Sequence, residues 1–514
     1  MNIYSAYIIT FIASFCILVI EIVAGRILAP FVGVSLYTWT SIIGVVLAGI
    51  SIGAYLGGRL ADRFPDVKTL AWLLVVSGMA VLLIAPVTNL IASYKFHTSL
   101  MMRILLVTSL IFFIPSCILG MISPVIIKLA LRKMERVGHI VGKIYAISTL
   151  GSIIGTFAAG FFLISWIGTR QIMLLMGLIL MLTGVAYGAF VCKRKAVLGV
   201  IALPALLVGG YYDYAYKPSL EKGLLLYKES NYYTIKVKEA TRKGGQRILK
   251  SLVLDHLTHS YVDTADPLHL EYEYELIYAD ILKWRLAKDA RFRTLSIGGG
   301  GYAFPRYMEA YYPQSYNEVV EIDPEITKIV YDQLALPRAT KIRTFNEDGR
   351  WFVMNCRDKY DLVFIDAYND LSIPYHLTTK EFAEQIKSIT KPNGIVLTNV
   401  IDNFQKGSFL PSYIRTLREV FGKGNVHLIS ISPDLEKTGI STFIVLTGNN
   451  IIDIDSFAAF LKSEGRTTSS IVPDSRTNDY VDRNYSVLLT DDYAPVDNLI
   501  APIFETRFGY NGAR

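Results

Sequence analysis

The chain has 514 residues, of which 52% are hydrophobic and only 18% are charged. Soluble chains usually carry about 25% charged residues, so this composition excludes intrinsic disorder and argues against an entirely soluble protein. The net charge of +7 is unevenly distributed, because residues 1–216 carry +10 and residues 217–514 carry −3. The basic excess therefore belongs to an apolar N-terminal half, which argues against a nucleic-acid partner.

Seven apolar segments fill the N-terminal half and predict a helical membrane domain over residues 1–216. A helix needs about 20 apolar residues to cross the hydrocarbon core of a bilayer, and the first six segments meet that length. The seventh contains Pro204 and has about 16 residues, so it crosses only if the tyrosines that follow it complete the span. The segments lie at about 4–24, 36–57, 70–93, 102–127, 144–166, 171–191 and 196–212.

Basic residues in the loops predict an orientation for these segments. The loops after the second, fourth and sixth segments hold 11 Lys and Arg residues, and the loops after the first, third and fifth hold 4. Because basic loops stay in the cytoplasm, the N-terminus is predicted to lie there. A seventh crossing would place the C-terminal part outside the cytoplasm, whereas a seventh segment along the interface would leave it inside. Both alternatives stay open.

Glycines recur at the spacing of helix contacts, at Gly49, Gly53 and Gly57 and again at Gly151 and Gly155. This spacing lets two helix backbones approach closely and predicts tight packing. The loop sequence Gly57–Arg63 and the glycine-rich run Gly151–Gly160 resemble signatures of major facilitator transporters. Only about one six-helix half of that fold is present, whereas transport in that family needs two halves around a central site.

Glu21 is an acid inside a predicted membrane span. Ionisable groups at such depth are costly and are a functional hypothesis by default. Two alternatives stay open, a structural ion pair with a basic residue such as Arg26 and a cation site.

The C-terminal half divides into two predicted parts. Residues 217–290 read as a small β region, with strands at 232–237 and 247–255, followed by a helix at 266–287. Residues 291–514 alternate strands with helices, which is typical of a doubly wound, mostly parallel sheet with a Rossmann-like fold. The predicted strands of this sheet are Thr294–Ile297, Asn317–Ile322, Ile342–Phe345, Asp361–Asp366, Gly394–Val400, Val426–Ile431 and Thr442–Leu446.

Ligands of such sheets bind at the carboxyl ends of the strands, so the first two ends are informative. Gly298, Gly299 and Gly300 follow the first strand and precede a helix, where glycines permit a tight turn and close approach of a ligand. Glu321 ends the second strand, 23 positions beyond Gly298. An acid at this spacing accepts hydrogen bonds from ribose hydroxyls, while Asp323 suits the cap of the next helix.

The next two strand ends add further acids. Asp348-Gly349 precedes a helix, where the carboxylate can accept the exocyclic amine of an adenine. Asp366 and Asp370 flank a short loop after the fourth strand. The sequence has no Gly-Lys-Ser/Thr pair for a nucleotide triphosphate, and its four cysteines lack metal or disulfide spacing. Several acids around a nucleoside site predict a cationic ligand, such as a sulfonium nucleoside. From the cysteine spacing, no metal site is predicted.

At these residues the region from about 228 to 448 resembles the spermidine synthases, which are polyamine aminopropyltransferases. The fused helical half resembles the membrane-bound bacterial branch of that family. The resemblance implies that decarboxylated S-adenosylmethionine is the co-substrate, with its ribose on Glu321 and its adenine on Asp348. It also implies that Asp366 is the proton acceptor for an attacking diamine and that methylthioadenosine leaves. The resemblance further implies an integral protein of the plasma membrane, whose partners are a small cationic amine and the bilayer. It implies no tightly bound cofactor, and a homo-oligomer stays possible as an open alternative.

Several positions depart from the family pattern. Gly301 stands where the family has Asp, Tyr233 near its Gln, and Tyr274 in place of its His. The loop after Asp366 also differs, with Asp370 standing one position late for the family's second Asp. Together with Tyr368, residues Tyr233, Tyr274 and Asp370 are predicted to contact the substrate.

These departures leave two alternative functions open. A methyltransferase would use intact S-adenosylmethionine, and the absence of a side chain at Gly301 would leave room for the carboxylate of that donor. A non-enzymatic membrane transporter or sensor would bind a nucleoside without turnover.

Three other groups of polar residues are candidates for the site. Asp255, His256 and His259 form either a lid or a surface turn. His376 is considered as a second general base. The acids of Leu489–Pro495 either reach the pocket or cap local structure.

Overall fold

The structure is a computed structural model, and it describes residues 1–32, 35–92, 98, 100–131, 137–192, 222–241, 247–255, 257–368, 373–432, 434–435, 439–468 and 470–503. The chain divides into two compact units. The first comprises Met1–Lys222 and Lys228–Tyr233, and the second comprises Gly223–Tyr227 and Thr234–Arg514. The predicted seventh segment at 196–212 and the predicted boundary at 216 lie outside the described residues. The boundary at 290 stays a prediction.

The first unit is helical. Within its described residues, six helical stretches are long and apolar enough to cross a membrane: Ile3–Ala29, Leu36–Arg63, Val67–Ile91, Met101–Ala130, Val137–Leu163 and Trp166–Ala189. These coincide with the first six predicted segments. The helices are α1 (Ile3–Val32), α2 (Leu36–Arg63), α3 (Val67–Leu82), α4 (Ile84–Ala92), α5 (Leu100–Gly120), α6 (Ile122–Ala130), α7 (Val137–Ala158) and α8 (Ile164–Cys192), with a π-helical turn at Ala159–Leu163.

The predicted glycine stripes lie at helix contacts. A Cβ atom on Gly53 of α2 would overlap the backbone of Cys117 in α5. On α7, Cβ atoms at Gly151 and Gly155 would stand 2.5 and 2.6 Å from the carbonyl oxygens of Phe11 and Phe15 in α1. The absence of side chains therefore sets how closely these helix pairs approach.

Glu21 and Arg26 do not form the ion pair considered above. The Arg26 guanidinium donates to the carbonyl oxygens of Tyr232 at 2.6 Å and Ser230 at 2.7 Å, both in the segment that groups with the helical unit. Among the described residues, Glu21 has neither a hydrogen-bond nor an ion-pair partner. The cation-site alternative for Glu21 stays a prediction.

A small four-stranded sheet, all but the last two residues of β1 in the second unit, has the order β1 (Leu224–Glu229), β2 (Thr234–Thr241), β3 (Ile248–Leu254) and β4 (Leu257–Val262). Strands β2 and β3 are antiparallel, and Ile235 lies opposite Leu254. Strand β4 pairs antiparallel with β3. Helix α9 (Glu273–Arg285) follows and begins with two acids in its first turn, where the helix dipole favours negative charge.

The larger sheet confirms the predicted Rossmann-like class. Its strands are β5 (Arg293–Ile297), β6 (Tyr316–Val320), β7 (Arg343–Phe345), β8 (Tyr360–Ile365), β9 (Thr390–Asp402), β10 (Val426–Ser430), β11 (Ser441–Gly448) and β12 (Ile471–Val472). The spatial order is β12-β10-β11-β9-β8-β5-β6-β7. Strands β5 to β9 pair in parallel, and β9 to β12 add an antiparallel edge.

Helices connect these strands in the alternation that the sequence predicts. They are α10 (Ala303–Tyr311), α11 (Pro324–Gln333), α12 (Gly349–Asn355), α13 (Lys380–Ile389), α14 (Phe409–Phe421), α15 (Ile454–Ser463), α16 (Asp474–Arg483) and α17 (Val496–Leu499). The central strands are buried on both faces. Because β5, β6, β7 and β8 run parallel, their carboxyl ends meet at one edge of the sheet. Gly298, Glu321, Asp348 and Asp366, which follow these four strands, lie at that edge.

Candidate active site

The glycine loop after β5 makes a turn that needs glycine. Gly298 has φ +94°, a conformation that side chains rarely adopt, and a Cβ there would overlap the carbonyl of Asp366. Gly300 has φ +49°, and Tyr302 at the start of α10 is also left-handed with φ +57°. The loop therefore brings the end of β5 directly against the end of β8.

Gly301 is covered by strand β4. Its N–H donates to Ser260 Oγ at 2.8 Å, and a Cβ at this position would stand 2.6 Å from Ser260 Cβ and 3.0 Å from Val262 Cγ2. The space that the missing side chain would occupy is therefore filled by the small sheet. Room for a donor carboxylate beside Gly301 stays a prediction, and the methyltransferase alternative stays open.

Glu321 stabilises the same loop. One carboxylate oxygen accepts the N–H groups of Gly299 at 2.9 Å and Gly300 at 3.3 Å, and the other accepts the N–H of Asp323 at 3.0 Å. Burial raises the pKa of Glu321, and the three backbone donors oppose that effect. Asp323 caps α11 by accepting from Glu325 N at 2.9 Å, as predicted. The ribose contact of Glu321 stays a prediction.

Asp348 combines two contacts at the end of β7. One oxygen caps α12 by accepting the N–H groups of Arg350 at 2.9 Å and Trp351 at 3.0 Å, and the other lies 2.9 Å from His376 Nε2. Burial works against ionisation, but these donors hold the pKa of Asp348 below its ordinary value. His376, considered as a second general base, contacts Asp348. Gly349 begins α12, where a Cβ would press on Ile297 Cγ2 at 2.5 Å.

Asp366 lies at the end of β8 and is held by two side-chain donors. Asn399 Nδ2 donates to Oδ1 at 2.8 Å, and the Tyr274 hydroxyl donates to Oδ2 at 3.0 Å. Burial raises the pKa of Asp366, while the two donors lower it. A carboxylate that is held in place and has a raised pKa suits proton transfer near neutral pH.

The four predicted substrate residues have different positions. Tyr274 contacts Asp366 directly, as described. The Tyr368 hydroxyl donates to the carbonyl of Asn399 and accepts the N–H of Ile401, both at 2.8 Å, and so fastens the loop after β8 to strand β9. Tyr233 is buried in the segment that groups with the helical unit. Asp370 lies outside the described residues. Contact of these residues with substrate stays a prediction.

The remaining polar candidates have different contacts in the described part of the chain, and their roles stay predictions. Asp255 accepts the N–H of Thr234 at 3.0 Å and has φ +52°, as in a turn, while His256 lies outside the described residues. The Asp491 carboxylate accepts hydrogen bonds from the Nη1 and Nη2 atoms of Arg350, at 2.6 and 2.5 Å. In the described residues there is no group of three metal-ligating side chains.

Sequence reasoning missed three residues around Asp366. Asn399 interrupts the apolar strand β9, and a buried amide in such a strand was the signal that could have identified it. Glu275 and Tyr278 lie on α9 and are 4% and 2% exposed. A fully buried acid in a helix is rare unless it is paired or functional. Their helical spacing alone does not indicate that they face Asp366.

Three comparisons relate this chain to known proteins. Residues 285–456 match the family model described as Spermine/spermidine synthase domain. A probable polyamine aminopropyl transferase of Bifidobacterium longum is 33% identical over 132 residues, which cover 26% of this chain and 29% of that protein. Polyamine aminopropyltransferase 2 of Aquifex aeolicus is 23% identical over 429 residues, 80% of this chain and 81% of that protein.

The second alignment is longer than the α/β unit and therefore extends into the helical unit. The chain spans less than a third of the Bifidobacterium relative. A crystal structure of a probable spermidine synthase from Corynebacterium glutamicum aligns with a TM-score of 0.45 and 20% identity over 52% of this chain and 95% of that chain. Residues 285–456 are thus similar to the Spermine/spermidine synthase domain, which agrees with the resemblance carried by the motifs at the strand ends.

Proposed function

We propose that this chain is a membrane-bound polyamine aminopropyltransferase. It transfers an aminopropyl group from decarboxylated S-adenosylmethionine to a diamine and releases methylthioadenosine. The observation that supports this proposal most directly is the geometry of Asp366, a buried carboxylate fixed by Tyr274 and Asn399 against the glycine loop.

The donor site is proposed to lie along the edge formed by β5, β6 and β7. Glu321 would bind the ribose hydroxyls and Asp348 the adenine amine, with Gly298, Gly299 and Gly300 allowing close approach of the nucleoside. These acids also favour the positive charge of the sulfonium.

In the proposed reaction, Asp366 accepts a proton from the attacking ammonium group. The freed nitrogen lone pair attacks the methylene carbon bonded to the sulfonium sulfur, the C–N bond forms, and the C–S bond breaks with its electrons on sulfur. Methylthioadenosine leaves. A general base of this kind contributes about 10²- to 10⁴-fold to the rate, and the alignment of amine and carbon contributes more.

The six apolar helices support placement of the protein in the plasma membrane. Their basic loops would face the cytoplasm, where they can contact anionic lipid. The lipid bilayer and a small cationic amine are the partners of this proposal.

The decisive experiment is mass spectrometry of the full-length protein in detergent, incubated with either sulfonium donor and a panel of diamines. Aminopropyl transfer yields methylthioadenosine, whereas methyl transfer yields S-adenosylhomocysteine. We expect methylthioadenosine, and we expect Asp366→Asn to reduce its formation by about 10²- to 10⁴-fold because the proton acceptor is lost.

Asp289→Asn is the matched control, because Asp289 is an exposed aspartate in a turn outside the candidate site. It should retain wild-type turnover. Formation of S-adenosylhomocysteine would establish the methyltransferase alternative. Absence of both products with every diamine would contradict enzymatic transfer and favour the transporter or sensor alternative.

A further inference from the structure

The buried cluster around Asp366 comprises its donors Tyr274 and Asn399 and a second carboxyl group, that of Glu275, whose charge interacts with that of Asp366. The proposed reaction does not use Glu275. Glu275 is in the first turn of α9, one position after Tyr274, and is 4% exposed. Among the described residues, its Oε2 atom has no hydrogen-bonding partner. The backbone N–H of Tyr272 is the donor that favours its charged form.

Asp366 and Glu275 differ in how well the surrounding groups stabilise a negative charge. Asp366 receives one hydrogen bond from an amide and one from a phenol hydroxyl, at 2.8 and 3.0 Å. Glu275 accepts from one backbone N–H, and its Oε2 atom has no hydrogen-bond partner among the described residues. Two negative charges in one buried cluster repel, so the charge settles on the carboxylate with more donors.

We propose that Glu275 is a positioning residue that holds a proton in the resting protein, so that Asp366 carries the negative charge of the cluster. A neutral Glu275 leaves Asp366 ionised and ready to accept a proton from the amine. This catalytic consequence rests on the proposed function, whereas the division of charge between the two carboxyls does not.

The surroundings of Glu275 agree with this division. Burial, and secondarily the charge of Asp366, raise the pKa of Glu275 to about 8. The titratable groups that interact with Glu275 are Asp366, which follows β8, and Tyr274 and Tyr278 of its own helix. Tyr278 also interacts with Tyr368, in the loop after β8, and with Tyr413 of α14. No cationic side chain is among the groups that affect Glu275 or Asp366 in the described residues.

Because the pKa of Glu275 is raised in the folded protein, the free energy of unfolding depends on pH. An exposed glutamate in the unfolded chain releases its proton near pH 4.3. Between about pH 4.3 and pH 8 the folded protein therefore binds more protons at this position than the unfolded chain. Stability contributed by Glu275 falls as the pH rises through this range, and Glu275→Gln should flatten that fall.

The test is infrared difference spectroscopy of the full-length protein in detergent, following the C=O stretch of protonated carboxyl groups as the pH is raised. We expect a band at pH 7 that is absent from Glu275→Gln and that disappears near pH 8 in the wild type. In Asp366→Asn the midpoint of this band should move downward by about 1 pH unit, because the neighbouring like charge is gone.

Asp402→Asn is the control, because Asp402 is also buried, has a pKa raised to about 7, and accepts its hydrogen bonds from the backbone of Asn403 and Leu410. It should remove its own band and leave the Glu275 midpoint unchanged. Identical spectra of the wild type and Glu275→Gln at pH 7 would overturn the proposal. A midpoint that Asp366→Asn does not lower would also overturn it.

The activity readout separates this proposal from the proposed function. Glu275→Ala should lower turnover at pH 7 more than Glu275→Gln, because glutamine keeps the shape of the neutral acid. If no sulfonium donor reacts, the proposed function fails, but the infrared result still decides which carboxyl group holds the proton.

Discussion

At the scale of single residues, Gly301 is a position where packing against a neighbouring strand limits the size of the side chain. Strand β4 lies directly over this position, because Ser260 Oγ accepts the Gly301 N–H at 2.8 Å. A Cβ at 301 would also approach Ser260 Cβ to 2.6 Å, well inside normal contact distance. Adding atoms to a packed site usually costs about 1–3 kcal/mol. An aspartate at 301, which the family resemblance in the sequence would imply, should therefore disturb β4.

We predict that Gly301→Asp lowers the free energy of unfolding of the α/β unit by about 1–3 kcal/mol and does not increase turnover. Thermal unfolding of the full-length protein, combined with the methylthioadenosine assay, measures both effects. Gly424→Ala is the matched control, since a Cβ at Gly424 meets no other atom within 4 Å. An increase in kcat/KM with unchanged melting temperature would show that position 301 is open to a side chain.

The strand-end acids could be predicted from sequence, but their hydrogen-bond partners could not. Asp348 and Asp366 follow buried strands, and this position alone indicates the functional edge of the sheet. His376 is close in sequence to Asp366, yet it contacts Asp348 at 2.9 Å. Asn399 reaches Asp366 from a different strand. Such pairings depend on the order of strands in space, which hydrophobic periodicity does not specify.

At the scale of elements, buried strands were easier to predict than edge strands. The apolar runs of β5, β6 and β8 match their predicted positions within one or two residues. Strand β12 has only two residues, Ile471–Val472, and gives no periodic signal. Strand β9 begins at Thr390, four residues before its predicted start, because Lys391–Gly394 continue the strand beside a register shift in β8. A Pro-Asn-Gly sequence ordinarily indicates a turn.

Helix α2 offers an internal test of packing by small residues. Gly53 and Gly44 lie on the same helix, but only Gly53 lies against another backbone. A Cβ on Gly53 would overlap Cys117 of α5, whereas a Cβ on Gly44 meets no other atom within 4 Å. Close backbone approach is a main source of helix association in a bilayer, since lipid and side chains are equally apolar.

We predict that Gly53→Leu separates α2 from α5 and lowers the thermal stability of the detergent-solubilised protein. Gly44→Leu adds the same side chain to the same helix and should leave stability within experimental error of the wild type. Disulfide cross-linking between cysteines introduced on α2 and α5 provides a second readout, which should weaken only in Gly53→Leu. Equal behaviour of the two variants would contradict the packing argument.

At the scale of the whole molecule, the apolar part of the chain is also the part with the excess of basic residues. The N-terminal 216 residues hold 15 basic and 5 acidic side chains, and the remainder holds 36 and 39. The basic residues of the first part are concentrated in alternate loops, as expected for helices oriented by the positive-inside rule. This pattern predicts opposite membrane sides for the loop between α2 and α3 and the loop after α4.

We predict that these two loops differ in their accessibility to a membrane-impermeant thiol reagent in intact bacterial cells. Pro65 lies between α2 and α3, Thr98 lies between α4 and α5, and both residues are exposed. In a chain with Cys192 and Cys356 replaced by serine, Thr98→Cys should be labelled in intact cells, because its loop is poor in basic residues. Pro65→Cys should be labelled only after the cells are permeabilised.

The two variants control for each other, because both place a cysteine at an exposed position next to a helix end. The reverse labelling pattern would invert the predicted orientation. Labelling of both cysteines in intact cells would mean that Val67–Ile91 does not cross the membrane. A reporter fused after Arg514 then assigns the α/β unit to a membrane side relative to these loops. A cytoplasmic reporter would place that unit beside the sulfonium nucleosides made there, and an external one would require the donor to be exported.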